Sequence, residues 1–248
     1  LPDQADAASK ALENVPNEAP QVSSGGMPQS LTLADLQRLL RQPVEVFFRN
    51  RLQVEFDSLD ELEQTDEPFA FNALQAHQAG AAMLKASDNS QAAFRLRASG
   101  QFPLAGFGEL AANALVDKAQ QVRAKQEVWW QAHPETLPAQ AIDLLLDDDV
   151  RLTGTLGGLL AKSIDTNLPG ATCLQLEARP GAVLEGGKSP TPRGHVLMRL
   201  WVNHLAACAS GLNLTSALIG VDGEVQLAPM DSDNARAILN RLIRVYAQ

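Results

Sequence analysis

The sequence predicts an α/β protein of the α+β kind, in which helices flank a mixed central sheet. Apolar residues recur at helical spacing from about residue 30 to residue 131. Alternating apolar segments then bracket the acidic turn Asp147-Asp148-Asp149, and a second pair brackets Asp222-Gly223. With 248 residues, 45% of them hydrophobic, the chain is large enough for a substantial core.

The first 29 residues have the composition of a linker. They contain four prolines, the run SSGG and no aromatic residue. Such a segment buries too little apolar surface to order itself, so we expect residues 1–29 to be a disordered linker and residues 30–248 to form the folded domain. Because the chain begins with Leu rather than Met, we also expect it to be a piece of a longer protein.

Two short helices are expected at the start of the domain. Thr32 can cap the first helix, with Asp35 three residues later, and a leucine stripe follows at positions 33, 36, 39 and 40. Pro43 suits the first turn of a second helix. That second helix is expected to bury four apolar side chains, Val44, Phe47, Phe48 and Leu52.

The remaining elements follow from spacing and turn residues. The acidic stretch 57–67 predicts a solvated loop or a short edge element. Helical patterns follow over about 68–86, from Ser90 to a stop at Gly100, and over about 107–131. A hairpin is expected over 141–156 and a strand over 171–178. A helix over about 190–210, ended by Gly211, precedes the second hairpin and a final helix that begins at residue 231 or 232.

Charge and cysteine content bound the function. A net charge of −9 argues against tight non-specific DNA binding by this chain alone, although local basic patches can still touch DNA. No apolar run approaches the ~18 residues of a membrane span, so no membrane partner is expected. Cys173 and Cys208 lie in apolar surroundings and are expected to be reduced core thiols, which is typical of a cytoplasmic protein.

Two stretches that look like binding motifs predict no chemistry. GTLGGLLAKS, residues 154–163, lacks the Gly directly before Lys that a phosphate loop needs, so it predicts a turn between strands. His204 and Cys208 share one face of a helix, but two ligands do not make a zinc site, so packing is expected. We therefore predict no metal ion and no cofactor.

The strand ending in LEARPG carries the one arrangement that points to chemistry. Metal-dependent nucleases use an acid-x-Lys pair at such a strand end, plus an Asp from a preceding hairpin, and the carboxylates hold Mg²⁺. Here Glu177 and Arg179 have that spacing, but Gly157 stands where the Asp is expected. Arginine stays protonated and cannot accept a proton. Gly157, Glu177 and Arg179 therefore predict a degenerate site with no catalytic residue.

Several segments, in order, carry a resemblance to a known family. The helix pair LTLADLQRLLRQPVEVFFRNRL is followed by DEPFAFNALQAHQ, RLRASGQFPLAGFGEL, RLTGTL and LMRLWVNHLAACASG, and the tail DGEVQLAPMDSDNARAILNRLIRVY continues the match. Over residues 30–247 the chain resembles RecB-family nuclease domains, and most closely the RecC C-terminal domains of exodeoxyribonuclease V.

This resemblance implies a PD-(D/E)xK nuclease-like fold without the active site. It also implies a non-catalytic scaffold or DNA-guiding role in a helicase-nuclease of double-strand-break repair and recombination. The implied partners are RecB- and RecD-type helicase subunits, and DNA within the full complex.

Four residues are candidate contacts with DNA or a partner: Arg179, Lys188, Arg193 and Trp129. The alternatives are a flexible surface loop over 179–195 and core packing of the tryptophan. Two other functions stay open. One is an active Mg²⁺-dependent DNA nuclease that uses Glu177, and the other is a generic protein-interaction domain.

Overall fold

The structure, a computed structural model, describes residues 30–54, 70–86, 88–100, 102–103, 105–163 and 172–247. The predicted linker 1–29 and the predicted acidic loop 57–67 lie outside these residues. Within the described part, the predicted helices, hairpins and central strand occur in the predicted order, with short additional strands among them.

Seven helices lie in the described residues: α1 (Leu33–Arg41), α2 (Pro43–Arg51), α3 (Ala73–Lys85), α4 (Asn89–Ala98), α5 (Ala105–Ala132), α6 (Gly194–Ala209) and α7 (Ser232–Ala247). The ten strands there are β1 (Ser30–Thr32), β2 (Glu135–Thr136), β3 (Gln140–Leu145), β4 (Arg151–Leu156), β5 (Leu159–Ala161), β6 (Cys173–Ala178), β7 (Leu184–Glu185), β8 (Thr191–Pro192), β9 (Leu214–Ile219) and β10 (Glu224–Leu227). A short 3₁₀ turn, Asp147–Asp149, joins β3 to β4.

The predicted mixed sheet flanked by helices is confirmed, although the strands divide into separate sheets. The larger sheet has the order β10-β9-β6-β5-β2, with β6 and β9 parallel and the other neighbours antiparallel. A three-stranded sheet has the order β1-β4-β3, with β1 parallel to β4. β7 and β8 form a two-stranded ribbon. Both predicted hairpins are present, but the sequence did not predict that β4 and β5 belong to different sheets.

The start of the domain follows the sequence closely. Thr32 accepts a hydrogen bond from the N–H of Asp35, and the Asp35 carboxylate accepts one from the N–H of Thr32, so a capping box begins α1. The leucine stripe of α1 packs into the main core, where Leu33 and Leu36 are fully buried. Gly154 on β4 makes this approach possible, because a Cβ there would lie 2.6 Å from Leu33 Cδ1.

The predicted burial along α2 is wrong for three of its four residues. Val44, Phe47 and Leu52 are exposed, by 64%, 48% and 52%, and Val46 is the residue that is buried. Pro43 does open the helix, as predicted. Because α2 packs mainly on the neighbouring α1, only one narrow face of it is covered by described residues.

Helices α3, α4 and α5 form a layer with its own small core around Met83, Phe102 and Leu115. Gly100 has a φ of +73° just past α4, which confirms the predicted stop. The 28-residue α5 runs across β6 and β9 and so joins this layer to the larger sheet. No described helix is long and apolar enough to cross a bilayer.

The main core surrounds α6, which contacts β9, β3, α1 and α7. Residues 202–209 of this helix are all buried, as expected for a helix enclosed on every side. His204 Nδ1 lies 3.0 Å from Ser216 Oγ, and its Nε2 lies 3.0 Å from the Ala228 carbonyl oxygen and 3.7 Å from Cys208 Sγ. The predicted packing role of His204 and Cys208 is therefore confirmed.

Candidate functional site

The candidate site lies at the C-terminal end of β6, the central strand of the larger sheet. Side chains alternate between the two faces of a strand, so Gln175, Glu177 and Arg179 share one face. The N–H of Arg179 donates to the Ile219 carbonyl, which extends the pairing with β9 by one residue and keeps this alternation. The strand thus presents an amide, a carboxylate and a guanidinium in a row.

This row is only partly satisfied by hydrogen bonds. Gln175 Oε1 and Arg179 Nε are buried atoms without a hydrogen-bond partner among the described residues. Buried polar atoms are paired in the great majority of cases, so each exception calls for an explanation. Two exceptions on one face of one strand mark this place as unusual.

Glu177 is half-buried and faces a cation rather than a second acid. Burial raises the pKa of Glu177, and the nearby charge of Arg199 on α6 opposes that rise. The closest approach is 3.9 Å, between Glu177 Oε1 and Arg199 Nε, and the Arg199 side chain is 72% exposed. An ion pair this long and this exposed contributes little stability, but it supplies the carboxylate with a counter-charge.

Gly157 lies just beyond β4, in the exposed connection between the two sheets. The β5–β6 pairing ends at Leu159 and Gln175, two residues before Gly157 would stand opposite Glu177. A Cβ at Gly157 would meet nothing within 4 Å, so space for a side chain exists and only the side chain is missing. No carboxylate can come from this position.

The described residues contain no group of three or more His, Cys, Asp or Glu side chains that could hold a metal ion. Mg²⁺ binds through oxygen ligands in near-octahedral geometry, and proteins bind it with carboxylates. At the C-terminal end of β6, the half-buried carboxylate of Glu177 has Arg179 two residues further along the same strand face and Arg199 of α6 beside it. This arrangement repels a divalent cation and suits an anion.

Arg179 is surrounded mainly by positive charge. Burial, and then the charge of Arg193, lower the pKa of Arg179, and Asp222 acts in the opposite direction. His77 on α3 belongs to the same group, because partial burial and then the charges of Arg179 and Arg41 lower the pKa of His77. Arg193 therefore lies within electrostatic reach of Arg179, and His77 lies within reach of both Arg179 and Arg41.

Two close contacts of small residues create this arrangement. A Cβ at Gly80 would lie 2.5 Å from Pro180 Cβ, so α3 touches the chain directly after Arg179. His77 lies three residues before Gly80 and therefore on the same side of α3. A Cβ at Gly220 would lie 2.7 Å from the Gly181 carbonyl oxygen, which brings the β9–β10 turn against the same segment.

The loop 179–195 is a folded ribbon with fixed ends. Asp222 accepts hydrogen bonds from the N–H groups of Val183 and Leu184, at 2.8 and 3.0 Å. Arg193 Nε donates to the Leu184 carbonyl at 2.7 Å, and the Arg193 N–H donates to that of Val183. Lys188 lies in the exposed tip between β7 and β8. Of the four candidate contacts, Arg179 and Arg193 are thus brought together, and Lys188 is held on the same ribbon.

Trp129 lies elsewhere, on α5. Its Nε1 donates to Glu224 Oε2 at 3.0 Å, and its ring stacks on His133 with the centroids 6.0 Å apart. Together with Lys125, whose Nζ donates to the Gly220 and Val221 carbonyls, it ties α5 to the β9–β10 hairpin. The neighbouring Trp130 is 42% exposed.

Sequence reasoning missed Arg41, His77, Arg199 and Asp222 as members of this site. Asp222 was noted only for its hairpin turn, and Arg41, His77 and Arg199 are ordinary polar residues of helices without a motif around them. The fold brings them to residues 177–179 from segments that begin far away in the chain, so no local spacing could have indicated them.

The comparison with known proteins decides the family. A model of the RecC C-terminal domain matches residues 28–248, which is nearly all of the chain. The chain belongs to the RecC C-terminal domain family. The predicted resemblance is therefore confirmed.

A relative of this RecC C-terminal domain supports the assignment. RecBCD enzyme subunit RecC of Escherichia coli (strain K12) is 30% identical over 230 residues. The match covers 90% of the present chain but 18% of that protein. The RecC C-terminal domain therefore corresponds to less than one fifth of the relative's length.

Proposed function

We propose that this chain is a non-catalytic scaffold and DNA-guiding domain of a RecC subunit. The subunit acts in a cytoplasmic helicase-nuclease for double-strand-break repair and recombination, together with RecB- and RecD-type helicase subunits. The fold of the domain is that of a PD-(D/E)xK nuclease whose active site has been lost. The observation that carries the proposal is the state of the end of β6, where Gly157 and Arg179 stand in place of an acid and a lysine and Glu177 is the one acid that remains.

Ion chemistry supports the loss of catalysis. A nuclease of this type needs carboxylates to hold Mg²⁺ and a group that positions the attacking water. Gly157 supplies no oxygen ligand, and Glu177 is countered by Arg199. Arg179 stays protonated throughout the physiological range, so it cannot accept a proton from water.

The exposed apolar side chains support a role in holding partners. Val44, Phe94 and Leu110 are exposed by 64%, 71% and 70%, and they lie on three different helices, α2, α4 and α5. Covering these side chains with a partner protein would remove their apolar surface from water, which favours association. A scaffold domain in a multi-subunit enzyme is expected to present such surfaces.

The rival function is an active nuclease, and Glu177 is the feature that favours it. We expect no cleavage when the chain is incubated with linear DNA and Mg²⁺. Glu177→Ala and Arg199→Ala are the matched variants, since each removes one side of the same ion pair. Mg²⁺-dependent cleavage that Glu177→Ala abolishes and Arg199→Ala retains would establish the enzyme and reject the scaffold.

Reconstitution tests the scaffold role against a generic interaction domain. In the full subunit, combined with its helicase partners, deletion of residues 30–248 is expected to disrupt assembly or unwinding. Glu177→Ala in the same complex is the control, and it is expected to leave assembly, unwinding and nuclease activity unchanged. Intact assembly and unwinding after the deletion would contradict the proposal.

A further inference from the structure

The half-buried guanidinium of Arg179 lacks a counter-ion in the described chain. No ion pair or side-chain hydrogen bond joins it to a described residue, and its Nε is buried without a partner. Asp222 is the acid that acts on it electrostatically, but the two form no ion pair, and Asp222 acts against the larger effects of burial and Arg193. A charge removed from water is costly unless it is paired.

The other charged groups around Arg179 increase the imbalance. Arg193 is a second cation beside Arg179, His77 lies within reach of Arg179, and Arg41 lies within reach of His77. Glu177 on the same strand face has Arg199 as its own partner. Such a succession of basic side chains stands out in a chain whose net charge is −9. A folded protein keeps an uncompensated cation of this kind most readily where an external anion completes the site.

We propose that the degenerate nuclease centre binds the phosphodiester backbone of DNA directly, with Arg179 as the central contact and Arg41 and His77 beside it. In an active nuclease a metal ion would contact the phosphate. Here guanidinium groups contact it, without a metal. Guanidinium is suited to this role because its planar fork of N–H donors matches phosphate oxygens.

A polyanion fits these cations better than a single carboxylate from a protein partner. The electrostatic neighbours follow one another from Arg193 to Arg179, from Arg179 to His77 and from His77 to Arg41, so the basic groups form a row rather than one point. A nucleic-acid strand offers repeated phosphates along such a surface. The inference rests on the proposed function, because it assumes that this domain meets DNA.

The test measures DNA binding by the 248-residue chain with a fluorescently labelled strand, at about 50 mM salt, where phosphate contacts are strongest. A single strand and the matching duplex are used in parallel, which identifies the form of DNA that the site prefers. Arg179→Gln is the test variant. Arg241→Gln is the matched control, because it removes the same charge from an exposed position on α7 outside the cluster.

We expect Arg179→Gln to weaken binding to the preferred form by about tenfold, as loss of a charge-assisted hydrogen bond predicts. The slope of log affinity against log salt should fall by about one contact, while Arg241→Gln leaves the affinity within about twofold of the wild type. Arg41→Gln, at an exposed position, should give a smaller loss. Equal affinities for the Arg179 and Arg241 variants would overturn the inference.

Two further measurements separate loss of DNA binding from loss of folding and from loss of a protein partner. Thermal melting of Arg179→Gln should give a Tm at or above the wild-type value, because the substitution removes an unpaired cation. If that variant does not fold, the comparison of Arg41→Gln with Arg241→Gln decides, and equal DNA affinities there overturn the inference. If Arg179→Gln weakens assembly with the helicase subunits and leaves DNA binding unchanged, the counter-ion is a protein carboxylate and the inference is also overturned.

Failure of this inference can be told apart from failure of the proposed function. Mg²⁺-dependent cleavage that needs Glu177 rejects the non-catalytic scaffold whatever Arg179 does. Absent cleavage and a required domain, combined with DNA affinity that does not respond to Arg179, reject only the phosphate site.

Discussion

Gly154→Ala tests the contact that docks α1 on the three-stranded sheet. A Cβ at Gly154 would lie 2.6 Å from Leu33 Cδ1 and 2.7 Å from Leu33 Cγ, well inside the roughly 3.5–4.0 Å at which carbon atoms pack. Leu33 cannot retreat easily, because β1 just before it is paired with β4, the strand that carries Gly154. The capping box at Thr32 also holds the start of α1 in place.

The magnitude follows from two opposing effects. Overpacking a well-packed core costs about 1–3 kcal/mol. Replacing Gly by Ala restricts the unfolded chain and returns about 0.4–1 kcal/mol. The net loss of unfolding free energy is therefore about 1–2 kcal/mol, which for a domain of this size lowers Tm by about 2–8 °C.

Gly157→Ala is the control for this measurement. Gly157 lies three residues further along the chain, its φ is not positive, and a Cβ there meets nothing within 4 Å. We expect Gly157→Ala to have wild-type stability or to gain up to about 0.5 kcal/mol. Urea unfolding, followed by circular dichroism, measures both variants. The reasoning is refuted if Gly154→Ala is as stable as Gly157→Ala.

Three more predictions concern the site and its surroundings. Gly157→Asp should create neither Mg²⁺ binding, measured by calorimetry, nor cleavage of linear DNA, because Arg199 pairs with Glu177 and Arg179 shares its strand face, so these positive charges repel the ion; Mg²⁺-dependent cutting by this variant would contradict this explanation. Asp222→Ala should cost about 1–3 kcal/mol, because the buried N–H of Val183 loses its acceptor, and should speed amide exchange in the ribbon; unchanged exchange at Val183 would count against it. Burial lowers the pKa of His204, and its hydrogen bond to the Ala228 carbonyl opposes this. As the pH falls, the unfolded ring therefore takes up a proton before the folded ring does, near its ordinary pKa of about 6.5. The urea midpoint should fall as the pH drops through that region. That fall should shrink in His204→Gln, and a fall of the same size in both proteins would refute the assignment.

The fold lowers the pKa of Asp222 but raises the pKa of Glu177. Burial alone would raise the pKa of Asp222, but the N–H groups of Val183 and Leu184, its own N–H and Arg193 together hold it below the ordinary value. The stabilisation that Asp222 gives to the ribbon is therefore present above the unfolded pKa, about 3.9, and is lost below it. Glu177, whose pKa is raised, gains nothing from ionisation in the folded state.

Local chemistry explains the successes of the sequence reading. The cap at Thr32, the stops at Gly100 and Gly211 and the Asp222-Gly223 turn depend on residues within a few positions of one another. Their geometry is determined by backbone preferences and short-range hydrogen bonds, which the order of residues contains. The spacing of Glu177 and Arg179 was readable for the same reason, since both lie at the end of one strand.

Local preferences did not predict which residues of α2 are buried. The helix has apolar residues on more than one side, and the sequence does not contain the position of the neighbour that covers one of them. Val46 is buried and its neighbour Phe47 is exposed, and α1 is the element that α2 contacts most. The pattern of apolar residues limits which faces of α2 can be buried but does not decide which one is.

The sequence by itself determined the order of helices and strands, the α+β class, and the identity of the three degenerate positions, because each depends on neighbours in the chain. Only the tertiary structure decided that Arg193 and His77 lie near Arg179, that Arg41 lies near His77, and that Arg199 pairs with Glu177. The physical reason is the range of the forces involved. Turns and caps arise from contacts between adjacent residues, whereas the field at a site is the sum of charges that folding brings together from distant segments.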